Sequence, residues 1–266
     1  MKKIGLIAGG GVLPLEFLRS AKKSGVKVVV YAVKGITSPL LEKEAEKIYW
    51  VKFGQYGRVV FFLLLERISR IVLLGKIKRE IIHKEAVYDK GSREILGSLK
   101  NKKDYSILTE ITKRFSRIGI KVIDPLEYLS HLLQKKGLLT EQAPSKDLEE
   151  DMKFGFLTAK ELAGLDIGQT IIIKDRTVVA AEAMEGTDAT IERGRDIAGD
   201  GCVMIKVSRP DQDMRWDIPA VGPETIKHLA KNNYSGLAIE NGRMFLIEKE
   251  RCLELAEKSG ITIKVF

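Results

Sequence analysis

An α/β architecture is what the sequence predicts, and three observations predict it. Short apolar runs suit buried strands, amphipathic runs of helical period separate them, and glycines or prolines mark the changeovers. Over residues 1–134 the alternation implies a parallel sheet with right-handed crossovers. Residues 151–266 read as a second, mixed α/β domain, and the polar stretch 135–150, with Pro144 and no sustained apolar period, reads as a linker.

Taken in order, "KKIGLIAGGG" is a buried strand stopped by three glycines, the turn with which a Rossmann-like domain opens. Pro14 suits a first helical turn, and "LEFLRSAKKSG" ends on Gly25, a helix stop. "VKVVVYAV" is a second strand and "EKIYWVKFG" holds a third; "GRVVFFLLLERISR" is a helix and "IVLLG" a strand. A helix through "YSILTEITKRFSRIG", the strand "IKVID" and a short helix "LEYLSHLLQKK" complete the first domain. In the second, "DMKFGFLTAKELAGLD" is helical, and "TIIIKDRTVVAAEAM" is strand, turn and strand. "GCVMIKVS" is a strand and "GPETIKHLAKNN" a helix, while "GLAIENGRMFLIE" is expected to be a hairpin on its Asn-Gly turn. "KERCLELAEKSG" and "ITIKVF" close the chain as helix and strand.

The bulk properties narrow the function classes. With 266 residues and 44% apolar content the chain can bury a core and has room for two domains. Its most apolar run, "VVFFLLL", is far short of a bilayer span, and no secretory signal is expected. Two cysteines give neither a disulfide framework nor a thiolate zinc site, so a cytoplasmic protein is expected. The net charge of +9 attracts anions: nucleic acid, acidic membrane or phosphorylated ligands. Aromatics are only 7% and no nucleic-acid motif occurs, so nucleic acid is not an expected partner.

Several segments carry chemistry. Gly9, Gly10 and Gly11 occupy a phosphate-binding turn position, but the spacing is not G-x-G-x-x-G and the acid expected about twenty residues on is missing. The turn is then either a strand–helix corner that needs glycine dihedrals or a close approach of backbone N–H groups to a phosphate or sugar. Glu182, Glu185 and Asp188 cluster where a strand gives way to a helix, with Thr187 or Asp188 as the expected N-cap. Hard oxygen donors grouped so suit Mg²⁺ or Mn²⁺, and a purely structural cap is the alternative. In "KVSRPDQDMRWDIPAVGPET", Asp213, Arg215 and Asp217 alternate with Met214, Trp216 and Ile218. If extended, that row carries carboxylate, guanidinium and carboxylate on one face at roughly 6–7 Å spacing. It could serve as a self-neutralised surface strand or, with Lys206, as parts for phosphoryl hydrolysis. An EF-hand fails there, since Arg215, Trp216 and Gly222 stand where a ligand, the turn glycine and the bidentate glutamate belong. His83, His131 and His228 are scattered, and no nucleophile elbow or Walker loop occurs.

The segments "IGLIAGGGVLP", "GLLTEQAP", "LDIGQTIIIKDRTVVAAEAMEGTDATI" and "KVSRPDQDMRWDIPAVGPETI" resemble the UDP-2,3-diacylglucosamine pyrophosphatases of the I type, a lipid A biosynthesis family, nearly end to end. The resemblance implies metal-dependent hydrolysis of the pyrophosphate of UDP-2,3-diacylglucosamine to UMP and 2,3-diacylglucosamine 1-phosphate, in two domains with the lipid between them. It also implies an essential aspartate in the C-terminal domain, for which Asp217 is the first choice and Asp213 the second. Family members usually carry Gly where this chain has Asp211, and are longer.

Residues and resemblance together give the catalytic and metal set Asp188, Asp213 and Asp217 with Mg²⁺ (or Mn²⁺). The substrate-binding set is Gly10, Gly11, Glu185, Thr187, Lys206, Gln212, Arg215 and Thr225. The expected partners are the UDP-linked diacylated glucosamine and, peripherally, the inner face of the inner membrane; a homodimer is left open. The alternative from another class is a non-catalytic module that binds a nucleotide-sugar or phospholipid.

Overall fold

The computed structural model describes residues 2–77, 88–99, 104–216 and 218–266, the side chains of 104 and 105 excepted. His83 and Asp217 lie outside the described residues. The chain divides into two units, Met1–Ser130 with Met214–Trp216, and His131–Asp213 with Asp217–Phe266.

In the first unit the strands are β1 (Lys3–Ala8), β2 (Lys27–Val33), β3 (Lys47–Val51), β4 (Arg70–Leu74) and β5 (Lys121–Val122). They form one parallel sheet in the order β3-β2-β1-β4-β5, the doubly wound order with its switch point between β1 and β4. The helices are α1 (Leu13–Lys23), α2 (Leu40–Glu44), α3 (Tyr56–Leu65), α4 (Lys90–Gly97), α5 (Asp104–Arg117) and α6 (Leu126–Leu129). Pro14 lies in the first turn of α1, where no intrahelical N–H is needed. Tyr31, Leu63, Ile71, Phe115 and Ile120 are buried in one cluster, and Trp216 packs against it. Burying each such side chain contributes roughly 1.5–3 kcal/mol.

The second unit contains β6 (Gly137–Leu138), β7 (Thr170–Lys174), β8 (Thr177–Ala181), β9 (Val203–Lys206), β10 (Ala220–Val221), β11 (Gly236–Ile239), β12 (Phe245–Leu246) and β13 (Thr262–Val265). Six of them make a mixed sheet in the order β6-β13-β11-β9-β7-β8, and β10 pairs with β12 separately. The stretch that composition marks as a linker carries β6, antiparallel to β13 on this sheet's edge. The helix α7 (Lys146–Gly164) begins there too, capped by the Ser145 hydroxyl, which accepts from the Leu148 N–H at 3.2 Å.

β7 and β8 form the expected hairpin, turned by Asp175 and Arg176, both at positive φ (50° and 53°) as a type I′ turn requires. The second expected hairpin is absent. β11 is an interior strand with β9 on one side and β13 on the other, so no edge remains for a local partner. The chain passes 240–244 and enters β12, which runs parallel to β10 instead.

Because Ile172 and Ile173 point to opposite faces, the sheet has two cores. Ile173, Val203, Ile205 and Ala238 pack under Met152 and Ala159 of α7. Ile172, Met204, Leu237 and Ile263 pack under Ile191 of α8 (Thr187–Ala198), Ile226 and Leu229 of α9 (Pro223–Lys231), and Cys252 and Ala256 of α10 (Lys249–Lys258). Two helical glycines set the approach. A Cβ on Gly155 of α7 would lie 2.6 Å from Ile205, and one on Gly194 of α8 2.6 Å from the Tyr234 hydroxyl.

Candidate functional site at the carboxyl edge of the second sheet

β7 runs antiparallel to β8 and β9, and β9 parallel to β11, so β8, β9 and β11 all end at one edge. The acidic corner and Lys206 meet there. The chain leaves β8 through Glu182, whose N–H donates to the Thr170 carbonyl at 2.8 Å, and turns at Gly186 (φ 84°) into α8. Gly186, not Thr187 or Asp188, takes the N-cap, because the corner needs a left-handed backbone that β-branched Thr disfavours. Thr187 falls at the first helical position. Its hydroxyl donates to Glu182 Oε1 at 2.8 Å and accepts from Lys206 Nζ at 2.8 Å.

Glu185 braces the corner. It accepts from the Ala183 N–H at 3.1 Å, from Arg193 at 2.6 Å and from the Thr190 hydroxyl at 3.4 Å. Its own backbone N–H, with the Ala183 N–H and Arg193, holds its carboxyl below the usual carboxylate range against the opposing effect of desolvation. Asp188 is exposed in the first turn of α8, where its charge complements the helix dipole.

Beyond β9 the chain is pinned by groups that sequence reasoning missed. Glu240, just past β11, accepts from the Ser208 N–H and hydroxyl, both at 2.7 Å, and from Lys160 at 2.8 Å. Lys160 also donates to the Ser208 carbonyl at 3.0 Å, closing the ring. Burial alone would raise the Glu240 pKa; donation by Lys160 and Ser208 outweighs it and holds the carboxyl low. Gln212 is buried and its Oε1 accepts from Gln169 at 2.5 Å, and Arg209 pairs with Asp166 at 2.7 Å. The only signal for this ring is a glutamate directly after an all-apolar strand, and its partners lie 32 and 80 residues away.

Asp213 ends this pinned loop, half-buried, and residues 214–216 form a turn rather than an extended strand. The expected alternation therefore does not form there. Arg215 stacks on its neighbour Trp216, guanidinium carbon 4.3 Å from the ring centroid, while Trp216 packs on the first unit's core. Period-two spacing cannot apply across a turn. Thr225 is half-buried in the first turn of α9.

In the first unit the glycine turn has a packing reason. Gly10 exchanges backbone hydrogen bonds with Lys76, both at 2.9 Å, and the Gly9 N–H donates to the Leu74 carbonyl at 2.7 Å. A Cβ on Gly9 would sit 2.9 Å from the Gly75 backbone, and one on Gly75 (φ 100°) 2.7 Å from the Gly10 carbonyl. The loops after β1 and β4 thus close on each other at the switch point. Gly11 adopts φ 91° and faces open space.

What converges at the second sheet's edge is an ammonium, a hydroxyl and the N-terminal turn of a twelve-residue helix. Helix N-termini and a nearby lysine favour phosphate oxygens. Among the described residues no three acidic, histidine or cysteine side chains form a group that could hold a metal. Cys202 and Cys252 are buried, and burial pushes the Cys252 thiol up to about 12, which rules it out as a thiolate nucleophile at neutral pH.

The LpxI N-terminal domain matches residues 3–132 and the LpxI C-terminal domain residues 135–264. A relative from Caulobacter vibrioides, named UDP-2,3-diacylglucosamine pyrophosphatase LpxI, is 27% identical over 99% of this chain and 97% of its own. Similar solved structures include the biotin carboxylase subunit of pyruvate carboxylase (14% identity, TM-score 0.30, 68% of this chain and 36% of that one). Another is glycinamide-RNase-transformylase T from Mycobacterium tuberculosis (10% identity, TM-score 0.27, 69% and 44%). The chain spans less than half the length of those two proteins, and at such scores they bear on nothing further. With both of its domains matched along nearly the whole sequence, the chain belongs to the LpxI family.

Proposed function

We propose that the protein hydrolyses the pyrophosphate bond of UDP-2,3-diacylglucosamine in lipid A synthesis, releasing UMP and 2,3-diacylglucosamine 1-phosphate. The observation that carries this reading is the end-to-end relationship to a pyrophosphatase of that substrate, 27% identical over 99% of the chain. The carboxyl edge of the second sheet supports it with groups suited to a diphosphate. Lys206 is held beside the N-terminus of α8 by its bond to Thr187, and Glu182 orients the Thr187 hydroxyl from behind. Phosphate oxygens approaching that turn would meet the ammonium and the first-turn N–H groups of α8, which helix geometry leaves without carbonyl partners. Positive charge placed in advance where charge builds up on the leaving phosphate lowers the barrier. Water adds to one phosphorus, the bridging P–O bond breaks, and the water proton is lost to a carboxylate, for which Asp217 and Asp213 are the candidates.

Mg²⁺ (or Mn²⁺) belongs to the proposal as well. Mg²⁺ is ordinarily held by one or two carboxylates plus substrate phosphates, and the exposed Asp188 and half-buried Asp213 are oxygen donors of that kind. When bound it would neutralise phosphate charge and favour ionised water. The test is UMP release by the purified protein with Mg²⁺ and with EDTA, for the wild type and Asp217→Ala. Turnover lost to EDTA and lost in Asp217→Ala with substrate binding kept is expected. Binding without turnover in the wild type under every metal condition would instead identify a binding module. Activity of Asp217→Ala within a few-fold of wild type would remove Asp217 from the catalytic set.

A further inference from the structure

Among the described residues each strand of the first unit's sheet opens on a cation: Lys3, Lys27, Lys47, Arg70 and Lys121. The strands are parallel, so these residues share the edge opposite the glycine turn, a row roughly 20 Å long at about 4.8 Å per strand. The register sets Lys3 beside Lys27 and Arg70 beside Lys121; with Gly5 beside Ile71, the two pairs fall on opposite faces of the sheet at this shared edge. Glu66 bonds Lys3 and Lys47, and Glu127 bonds Arg70, while Lys27 and Lys121 are exposed. A cavity opens on the row, lined in part by Lys3, Lys27, Glu46 and Lys47.

The same edge receives the end of α3, which leads into β4. Phe61, Leu64 and Leu65 of that helix are exposed to 61%, 55% and 60%. At 100° per residue they lie on one face, with Arg58 among them. Between residues 52 and 70 the exposed charges are Lys52, Arg58 and Arg67, and the single carboxylate there, Glu66, is buried. Glu46 and Glu127 add exposed carboxylates along the strand-start row, but the exposed charges of the α3 segment itself are all cations. Lone surface apolar residues are ordinary, whereas three on one helix face among such cations mark an interaction surface. Among the described residues no helix is long and apolar enough to cross a membrane.

We propose that this edge docks on the surface of an anionic phospholipid bilayer. Phe61, Leu64 and Leu65 enter the headgroup boundary, and the strand-start cations face the lipid phosphates. The charge pattern selects this occupant. A second copy would set cations against cations, and a nucleic-acid backbone would leave the apolar trio in water. The inference rests on the proposed function only in that a diacylated substrate resides at such a surface; docking is measured without substrate.

The test is co-sedimentation of the full chain with vesicles of phosphatidylcholine alone or with about one third phosphatidylglycerol. Binding to the anionic vesicles that weakens as salt rises is expected. The double variants Phe61→Ser/Leu65→Ser and Lys27→Gln/Lys121→Gln should each lower partitioning by about fivefold or more, since one well-placed cation alone is worth about that factor. Their melting temperatures should stay near wild type, because all four side chains are exposed. Equal binding to both vesicle types, or variants that partition as wild type, would overturn the docking surface. So would a dimer that the apolar double variant dissociates, or duplex DNA bound as tightly as the anionic vesicles. Absent vesicle binding with turnover of detergent-dispersed substrate intact overturns the docking surface alone. Vesicle binding with no turnover supports it and overturns the proposed activity instead.

Discussion

Lys206 is half-buried at the end of β9, and its bond to Thr187 fixes the ammonium at the mouth of α8. Removing one preorganised donor to developing oxyanion charge typically costs about 10²–10³ in kcat. Lys206→Ala is therefore expected to lose turnover by about that factor with KM changed less. Thr187→Val, which keeps the shape and removes the tether, should lose about tenfold; steady-state kinetics on the UDP-lipid decide both. Elsewhere, Glu66 is held down to about 2, from the usual 4.5, by hydrogen bonds from Lys3, Lys47 and Tyr49. A folded pKa below the unfolded one stabilises the protein above pH 4.5, and that contribution is lost as pH falls from 4.5 towards 2. Both lysine partners are partly exposed, at 36% and 53%, so screening reduces the gain to about 1–3 kcal/mol. Glu66→Gln should melt a few degrees lower at pH 7, with the gap to wild type closing towards pH 2 in melts followed by circular dichroism. At this scale the sequence singled out Lys206 and Thr187, nineteen residues apart, and the fold brings their side chains into contact. The Lys160–Glu240–Ser208 ring was invisible, since its partners meet only after β9 and β11 pair.

The elements that carry the site are positioned by glycines. Gly155 lets α7 lie against Ile205 and Ile173, next to the strand that ends in Lys206, and a Cβ there would come within 2.7 Å of both. Overpacking of this kind costs about 1–3 kcal/mol. Gly155→Ala is expected to lower the melting temperature by several degrees, and pairing it with Ile205→Val should restore part of the loss; an unchanged single variant would contradict the packing described. The longer helices and strands were legible because each run is amphipathic or buried in its own right, while the short α2, α4 and β10 were not predicted. The Asn-Gly hairpin and the 213–217 alternation were not, for related reasons. Local turn chemistry around Asn241 could not reveal that β11 has both edges taken, and Trp216 leaves the strand period to pack on the first unit's core.

For the whole molecule, a net charge of +9 predicts attraction to anions but not which ones. The structure separates two basic places. The strand-start row lies on the first unit's sheet, and the Lys206 corner on the second unit's. A parallel, Rossmann-like sheet was readable in the first unit from its alternation of apolar strands and amphipathic helices, whereas the strand order became visible only in the structure. The mixed sheet of the second was readable only in part, since β6 came from a polar stretch with no strand pattern. The measurement that bears most directly on the central claim is phosphorus NMR of UDP-2,3-diacylglucosamine incubated with the purified protein and Mg²⁺. The pyrophosphate resonances should disappear and two phosphomonoester signals, those of UMP and the lipid sugar 1-phosphate, should grow in equal amounts. Pyrophosphate resonances that persist, or UDP released with its diphosphate whole, would contradict the account.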